Sequence, residues 1–282
     1  MSDETAVVGQ ISAGTYERRG NAPVDHVSAF ELRNRQLARA AVESAQRVLV
    51  GRYRLASTAE GFDLLRGASQ RFNIKLHTLA DLVVRVEGPD AGAVRWFPRR
   101  PRLTAPALPG LGVAPAERQH GAVLTAALRR VLHITETGMG NVQLLEHGML
   151  RMEKHIGLSR EFTQFFAFVE DSTTSCAQAA QQCQQVTVKD VEAADIFDEG
   201  SRQAILQAGS RAAHSLPLTS PAGRVIGMIS SHHEQRLPGL SEPQLATLAS
   251  TGAAVGRWLH WHRQTVALDA LEHLHAAAAS AN

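Results

Sequence analysis

Residues 30 to 86 read FELRNRQLARAAVESAQRVLVGRYRLASTAEGFDLLRGASQRFNIKLHTLADLVVRV, and three consecutive segments of that run carry helical periodicity. From Phe30 to Tyr53, an apolar stripe of Phe30, Leu37, Ala41, Ala45 and Val48 is narrow enough to be the seam of one long helix against another. The second segment opens on Ser57-Thr58-Ala59-Glu60, a capping box, and repeats Phe62, Leu65, Ala68, Ser69 and Phe72 at helical spacing. The third sets Leu76, Leu79, Ala80, Val83 and Val84 at i, i+3, i+4, i+7 and i+8. Each helix therefore has one face to hide, and a compact three-helix module is expected.

Over residues 30 to 87 there are ten arginines and lysines against six acids. A solvated helical face accounts for such a surplus in most chains. A surface that contacts phosphate is the sharper reading of the same charges.

The residues also resemble a family. Arg39, Val42-Glu43, Ala45, Val48-Leu49, Arg52, Leu55, Ser57, Glu60, Phe62, Leu64-Leu65-Arg66, Ser69, Asn73, Lys75-Leu76, Ala80 and Val83-Val84 resemble the signature of the ANTAR domain, a three-helix RNA-binding output module of bacterial regulators. The resemblance implies a homodimer paired through the first helix that grips tandem hairpin loops in RNA. It implies Arg52, Arg66, Asn73 and Lys75 as RNA contacts, with Gln46 and His77 as further ones. Ser44-Ala45-Gln46-Arg47 departs from the usual Gln-Ala-Lys-Gly, so a lysine gives way to Gln46 and the charge moves to Arg47.

Outward from this module, residues 1–24 are polar and aperiodic and read as a disordered leader, so the module is taken as 25–87. Residues 88–117, rich in proline, glycine and arginine, read as a linker. There the Arg99-Arg100-Pro101-Arg102 cluster is expected to be solvated, and Trp96 and Phe97 to dock on a neighbouring domain. The whole chain has 282 residues and a net charge of only +2, which excludes a globally basic nucleic-acid binder. With no long apolar run, no signal-like start and two cysteines, a cytoplasmic protein with no membrane contact is expected.

From 118 to 265, helices alternate with strands, and charges balance at thirteen against thirteen. Helices are expected at 122–137, 162–168, 176–182, 202–209 and 242–262, with strands at 141–145, 148–154, 185–189, 212–218 and 225–232, the last two forming a hairpin about Gly223. An antiparallel sheet flanked by helices follows, making the whole chain α+β. The segments TGMGNVQLLEHGMLRMEKHIGLSREFTQFF, CAQAAQQCQQVTVKDVEAADIF and GSRAAHSLPLTSPAGRVIGMISSHH resemble GAF sensory domains. That resemblance implies a small-molecule effector between sheet and helices, with Asn141, Gln143, Cys176, Asp190 and Ser215 lining its cavity; the ligand itself is unknown. Residues 266–282 read as an alanine-rich tail that extends the closing helix or frays.

Other chemistry is not expected. Of the thirteen histidines, the pairs His232-His233, His260-x-His262 and His273-x-His275 are scattered along strand ends and helices and are read as surface residues, no metal site is expected, and no P-loop or nucleophile elbow is present. The chain is read as no enzyme. Its expected role is a transcription antitermination or post-transcriptional regulator that binds RNA under the control of a sensory domain. The rival is a protein-protein interaction and dimerisation module with no RNA binding of its own.

Overall fold

In the computed structural model the chain is described over residues 29–90, 92–101, 103–114, 119–146, 148–169 and 174–281. The leader expected at 1–24 lies outside them.

Three helices come first: α1 (Ala29–Tyr53), α2 (Thr58–Phe72) and α3 (Leu76–Arg85). Ser57 caps α2 by accepting from the Glu60 amide at 3.3 Å, while Glu60 Oε2 reaches back to accept from the Ala56 amide at 3.2 Å. Asn73 closes α2 in the left-handed region at φ 49°, a conformation asparagine tolerates better than most side chains. Its amide faces the carbonyls of Gln70 and Ser69, and the chain turns there into α3. The buried line on α1 runs Ala45, Leu49, Tyr53, with Ala41 and Val48 partly buried beside it, and it packs on α2 and α3 of the same chain. The described part of the expected seam is thus used internally; the side chains of Phe30 and Leu37 lie outside the described residues. On α3, Leu79, Ala80 and Val83 are buried, but Val84, expected inside, is 45% exposed.

The rest is a single six-stranded antiparallel sheet with helices on both faces. Its elements are α4 (His120–Ile134), β1 (Met139–Glu146), β2 (Met149–Ile156), α5 (Arg160–Phe165), β3 (Phe168–Val169), α6 (Ser175–Gln182), β4 (Val186–Val188), α7 (Glu199–Gln207), β5 (Ala212–Thr219), β6 (Val225–His233), α8 (Glu242–Gln264) and α9 (Val266–Ala281). The strand order is β3-β2-β1-β6-β5-β4. Between β1 and β2 the register slips, because Val142 pairs with Lys154 and Gln143 with Met152, leaving Glu153 as the extra residue of β2.

Strand alternation sorts the side chains into two cores. Val142, Leu144, Leu216, Leu218 and Ile229 face α4 and α8, while Met139, Leu150 and Met228 join Phe162, Phe166, Cys176, Phe197 and Ile205 on the other face. Helix α8 lies close on β5, where Gly252 and Gly256 leave room for the strand backbone.

The chain end is not a trailing tail. After Thr265, α9 folds back onto α2 and α3, and Ala267, Ala270, Leu271, Leu274 and Ala278 bury one face there at helical spacing. The first core thereby runs unbroken from the sheet, through α8 and α9, into the first three helices. The linker helps to seal the junction. Trp96 is buried and donates from Nε1 to the Glu87 carbonyl at 2.8 Å, and the Trp96 and Phe97 amides both donate to the Glu272 carboxylate at 2.8 Å. Arg100, expected in solvent, is ion-paired with Asp269 on α9.

Candidate nucleic-acid interface

The cationic and polar side chains singled out on the first three helices fall into three settings. Arg66 on α2 stands in solvent beside Asp63 at 2.8 Å, and Gln46 on α1 donates to the Thr58 carbonyl at 3.2 Å. Both remain at the surface of the helical module. Arg52, at the end of α1, is instead turned inward: its guanidinium lies 4.7 Å from the Trp96 ring centre, and its buried Nη1 has no hydrogen-bond partner among the described residues. A cation stacked on an indole is well held, but it is not presented to a partner.

Asn73, Lys75 and His77, on the turn into α3 and its first residues, form the third group. The α3 N-terminus has no side-chain cap, since Lys75 occupies the cap position, so its first amides and the Lys75 ammonium together favour an anion. All three side chains are engaged by the sheet domain. Asn73 Nδ2 donates to Gln119 Oε1 at 2.7 Å, Lys75 Nζ is ion-paired with Glu153 on β2, and Arg151 on β2 donates to His77 Nε2. Lys75 is still 48% exposed at its side chain, whereas the Glu153 side chain is only 3% exposed. These partners were not legible in the sequence, because nothing in a β-strand's alternation says which distant turn its edge will meet.

Two concavities occur in the other regions. One, of about 580 Å³, lies where the end of α1 meets α9 and is lined by Arg52, Tyr53, Arg54, Val94, His275 and Ser280 among others. Tyr53 Oη donates to His275 Nδ1 at 2.9 Å, and His275 Nε2 donates to the Ala93 carbonyl at 2.9 Å, which fixes the ring in one orientation. The other lies between the sheet and α5–α7 and holds only about 20 Å³, room for about one water. Asn141, Gln143 and Cys176 line it, together with Phe162, Phe166, Thr174, Ser175, Ser230 and His232. Gln143 Nε2 donates to the Phe166 carbonyl at 3.2 Å, and its buried Oε1 has no partner among the described residues.

Two residues expected in that wall are elsewhere. Asp190, just beyond β4, pairs with Arg236 at 2.9 Å at the surface, because the chain has already left the sheet. Ser215 sits behind the lining, its Oγ within 3.1 Å of Ser175 and 2.9 Å of Ser230. Conversely, His232 was read as a surface residue and is buried in the wall, between Ser210 Oγ at 3.2 Å and Asn141 Oδ1 at 3.3 Å. Burial, helped by the neighbouring His233, lowers its pKa to about 4, and burial does the same to His214. His233, His262 and His275 are buried as well. The missed signal is strand position: His232 and His233 close β6, which is buried on both faces, and His214 on the neighbouring β5 is buried too. Among the described residues no cluster of histidine, cysteine and acids is placed to hold a metal ion.

Comparison with known proteins matches residues 31–84 to the ANTAR domain. No curated protein matches the chain. Among solved structures, the chain is similar to a GAF domain/HD domain protein from Geobacter sulfurreducens (16% identity, 56% of this chain and 99% of that one, TM-score 0.45). It is also similar to the domain of a two-component sensor histidine kinase protein from Sinorhizobium meliloti 1021 (16% identity, 52% and 95%, TM-score 0.44). A third is free methionine-R-sulfoxide reductase from Neisseria meningitidis (19% identity, 52% and 82%, TM-score 0.43). The matched span covers the turn of Asn73, Lys75 and His77 and nearly all of α1 to α3, and by that match residues 31–84 are an ANTAR domain.

Proposed function

We propose that this chain is a cytoplasmic RNA-binding regulator, acting in antitermination or after transcription, whose ANTAR domain grips hairpin loops as a homodimer. The α+β domain behind it is read as a GAF-like sensor of a small molecule. The observation that carries the proposal is the ANTAR match over 31–84, together with an α3 start that has no side-chain cap and sets Lys75 at the cap position, an arrangement that favours an anion. Arg66, Asn73, Lys75 and His77 are the proposed contacts, with Gln46 and Arg52 secondary. Among the described residues no helix is long and apolar enough to cross a membrane.

The test is a gel shift with a labelled two-hairpin RNA at several salt concentrations. Affinity should fall steeply as salt rises, because phosphate contacts release counterions, and Arg66→Ala should weaken binding and flatten that slope by about one. Unchanged binding and slope in Arg66→Ala would remove Arg66 from the surface.

One observation favours the second reading, an interaction module that does not itself bind RNA. Arg52, Asn73, Lys75 and His77 are all used in contacts within the chain. Absorbance near ~260 nm in the purified protein, lost in high salt, separates the two readings, since only the first predicts co-purified nucleic acid.

A further inference from the structure

We infer that the structure is a masked state, in which Glu153 and Gln119 of the α+β domain stand in for RNA on the turn that begins α3. The inference rests on the RNA-binding reading above. Lys75 holds the N-cap of a helix whose first turn has no side-chain cap, a position suited to a phosphate. The group that faces its ammonium is the carboxylate of Glu153, an anion with the same acceptor chemistry. Two residues earlier, the Asn73 amide donates to Gln119 Oε1 at 2.7 Å, as it would to a base edge or a phosphate oxygen. Two residues later, Arg151 occupies His77. One short run of the ANTAR domain is thus covered at alternate positions by the other domain.

The mask differs from ordinary packing in two ways. Its contacts are polar, while the apolar junction with α9 is made by other residues, so opening the mask removes no apolar contact of that junction. Moreover Glu153 is the extra residue at the β1–β2 register slip, directly after Met152, which pairs with Gln143 in the wall of the small cavity. The residue that holds Lys75 is thus next in sequence to the strand partner of a cavity-wall residue. Because Glu153 is tethered, it competes as an intramolecular ligand at high effective concentration, and RNA has to displace it.

The test uses the full chain and the two-hairpin RNA at fixed salt, with variants that leave the proposed RNA contacts untouched. Glu153→Gln keeps the shape and removes the charge, Gln119→Ala is a second, exposed site, and the two are combined. The double variant should bind at least tenfold more tightly than wild type, and adding Lys75→Ala should abolish the gain. Equal, measurable binding by wild type and the double variant overturns the mask and leaves the RNA reading standing.

A second measurement needs no RNA. The chain has three lysines, Lys75, Lys154 and Lys189, so acetylation by a water-soluble ester, followed by mass spectrometry, reads Lys75 against two internal references. In Glu153→Gln, Lys75 should label severalfold faster relative to Lys189; an unchanged ratio overturns the mask. If labelling rises and neither protein binds RNA, the contact is a mask but the RNA reading has failed.

Discussion

Replacing Gly256 by alanine probes the tightest of the described glycine positions. A Cβ at this position in α8 would lie 2.1 Å from the Thr219 carbonyl oxygen and 2.5 Å from its nitrogen, against ordinary contacts that begin at 3.4 Å. Both clashing atoms are backbone of β5, so no rotamer change relieves them, and α8 has to withdraw from the sheet by roughly 1 Å. A gap of that size forfeits about a quarter to a half of each dispersion contact along the helix. Leu248, Val255, Trp258 and Leu259, all essentially buried, line that seam. Overpacking typically costs about 1–3 kcal/mol, and a backbone collision belongs at the top of that range, so about 3 kcal/mol is expected. Gly67 in α2 is the control. Nothing lies within 4 Å of its added Cβ, and an alanine in a helix interior gains about 0.5–1 kcal/mol over glycine. Urea unfolding followed by tryptophan fluorescence and far-ultraviolet circular dichroism should place Gly256→Ala well below wild type and Gly67→Ala slightly above it. A wild-type midpoint for Gly256→Ala would refute the argument from close approach.

Acid should destabilise the fold through its buried histidines. His214 and His232 have folded pKa values lowered to about 4 by burial, so the unfolded chain binds their protons first as pH falls from about 6.5; stability is full above that value and drains away toward pH 4. Each group contributes on the order of 3 kcal/mol across that window, and His232→Gln should shrink the loss, as urea midpoints against pH will show. Leu274→Ala removes a fully buried side chain from α9 and should cost about 2–5 kcal/mol. Its effect should reach the ANTAR domain, read as faster proteolysis within α2. Of the two thiols, Cys183 is exposed and should react quickly with a disulfide reagent, while Cys176 is buried with its pKa raised by burial and should react only on unfolding. Two fast thiols would contradict the packing of α6.

Most elements were legible because their signals are local. The Ser57–Glu60 box and the hairpin about Gly223 each depend on a few neighbouring residues, and α4 to α8 fall where helices are expected, with ends shifted by a few residues. Asn141 and Gln143 share one face of β1, as alternate residues on a strand do, and both line the small cavity; Cys176 reaches it from α6. The failures are all long-range. An alanine-rich segment has high helix propensity but little pattern to say what it covers, so α9 read as a tail although Leu271 and Leu274 are fully buried. Val84 completes an apolar face on paper, yet the three-helix bundle is narrower than that face. Lys75 and Glu153 are opposite charges far apart in sequence, and only the fold brings them together.

The docking of α9 has a consequence for biosynthesis. The first three helices emerge from the ribosome long before the helix that covers α2 and α3, with the entire sheet translated in between. Until then the nascent chain presents an apolar flank, and contacts of such large sequence separation form slowly. A growing polypeptide therefore carries α2 and α3 with one flank uncovered until α9 has been made.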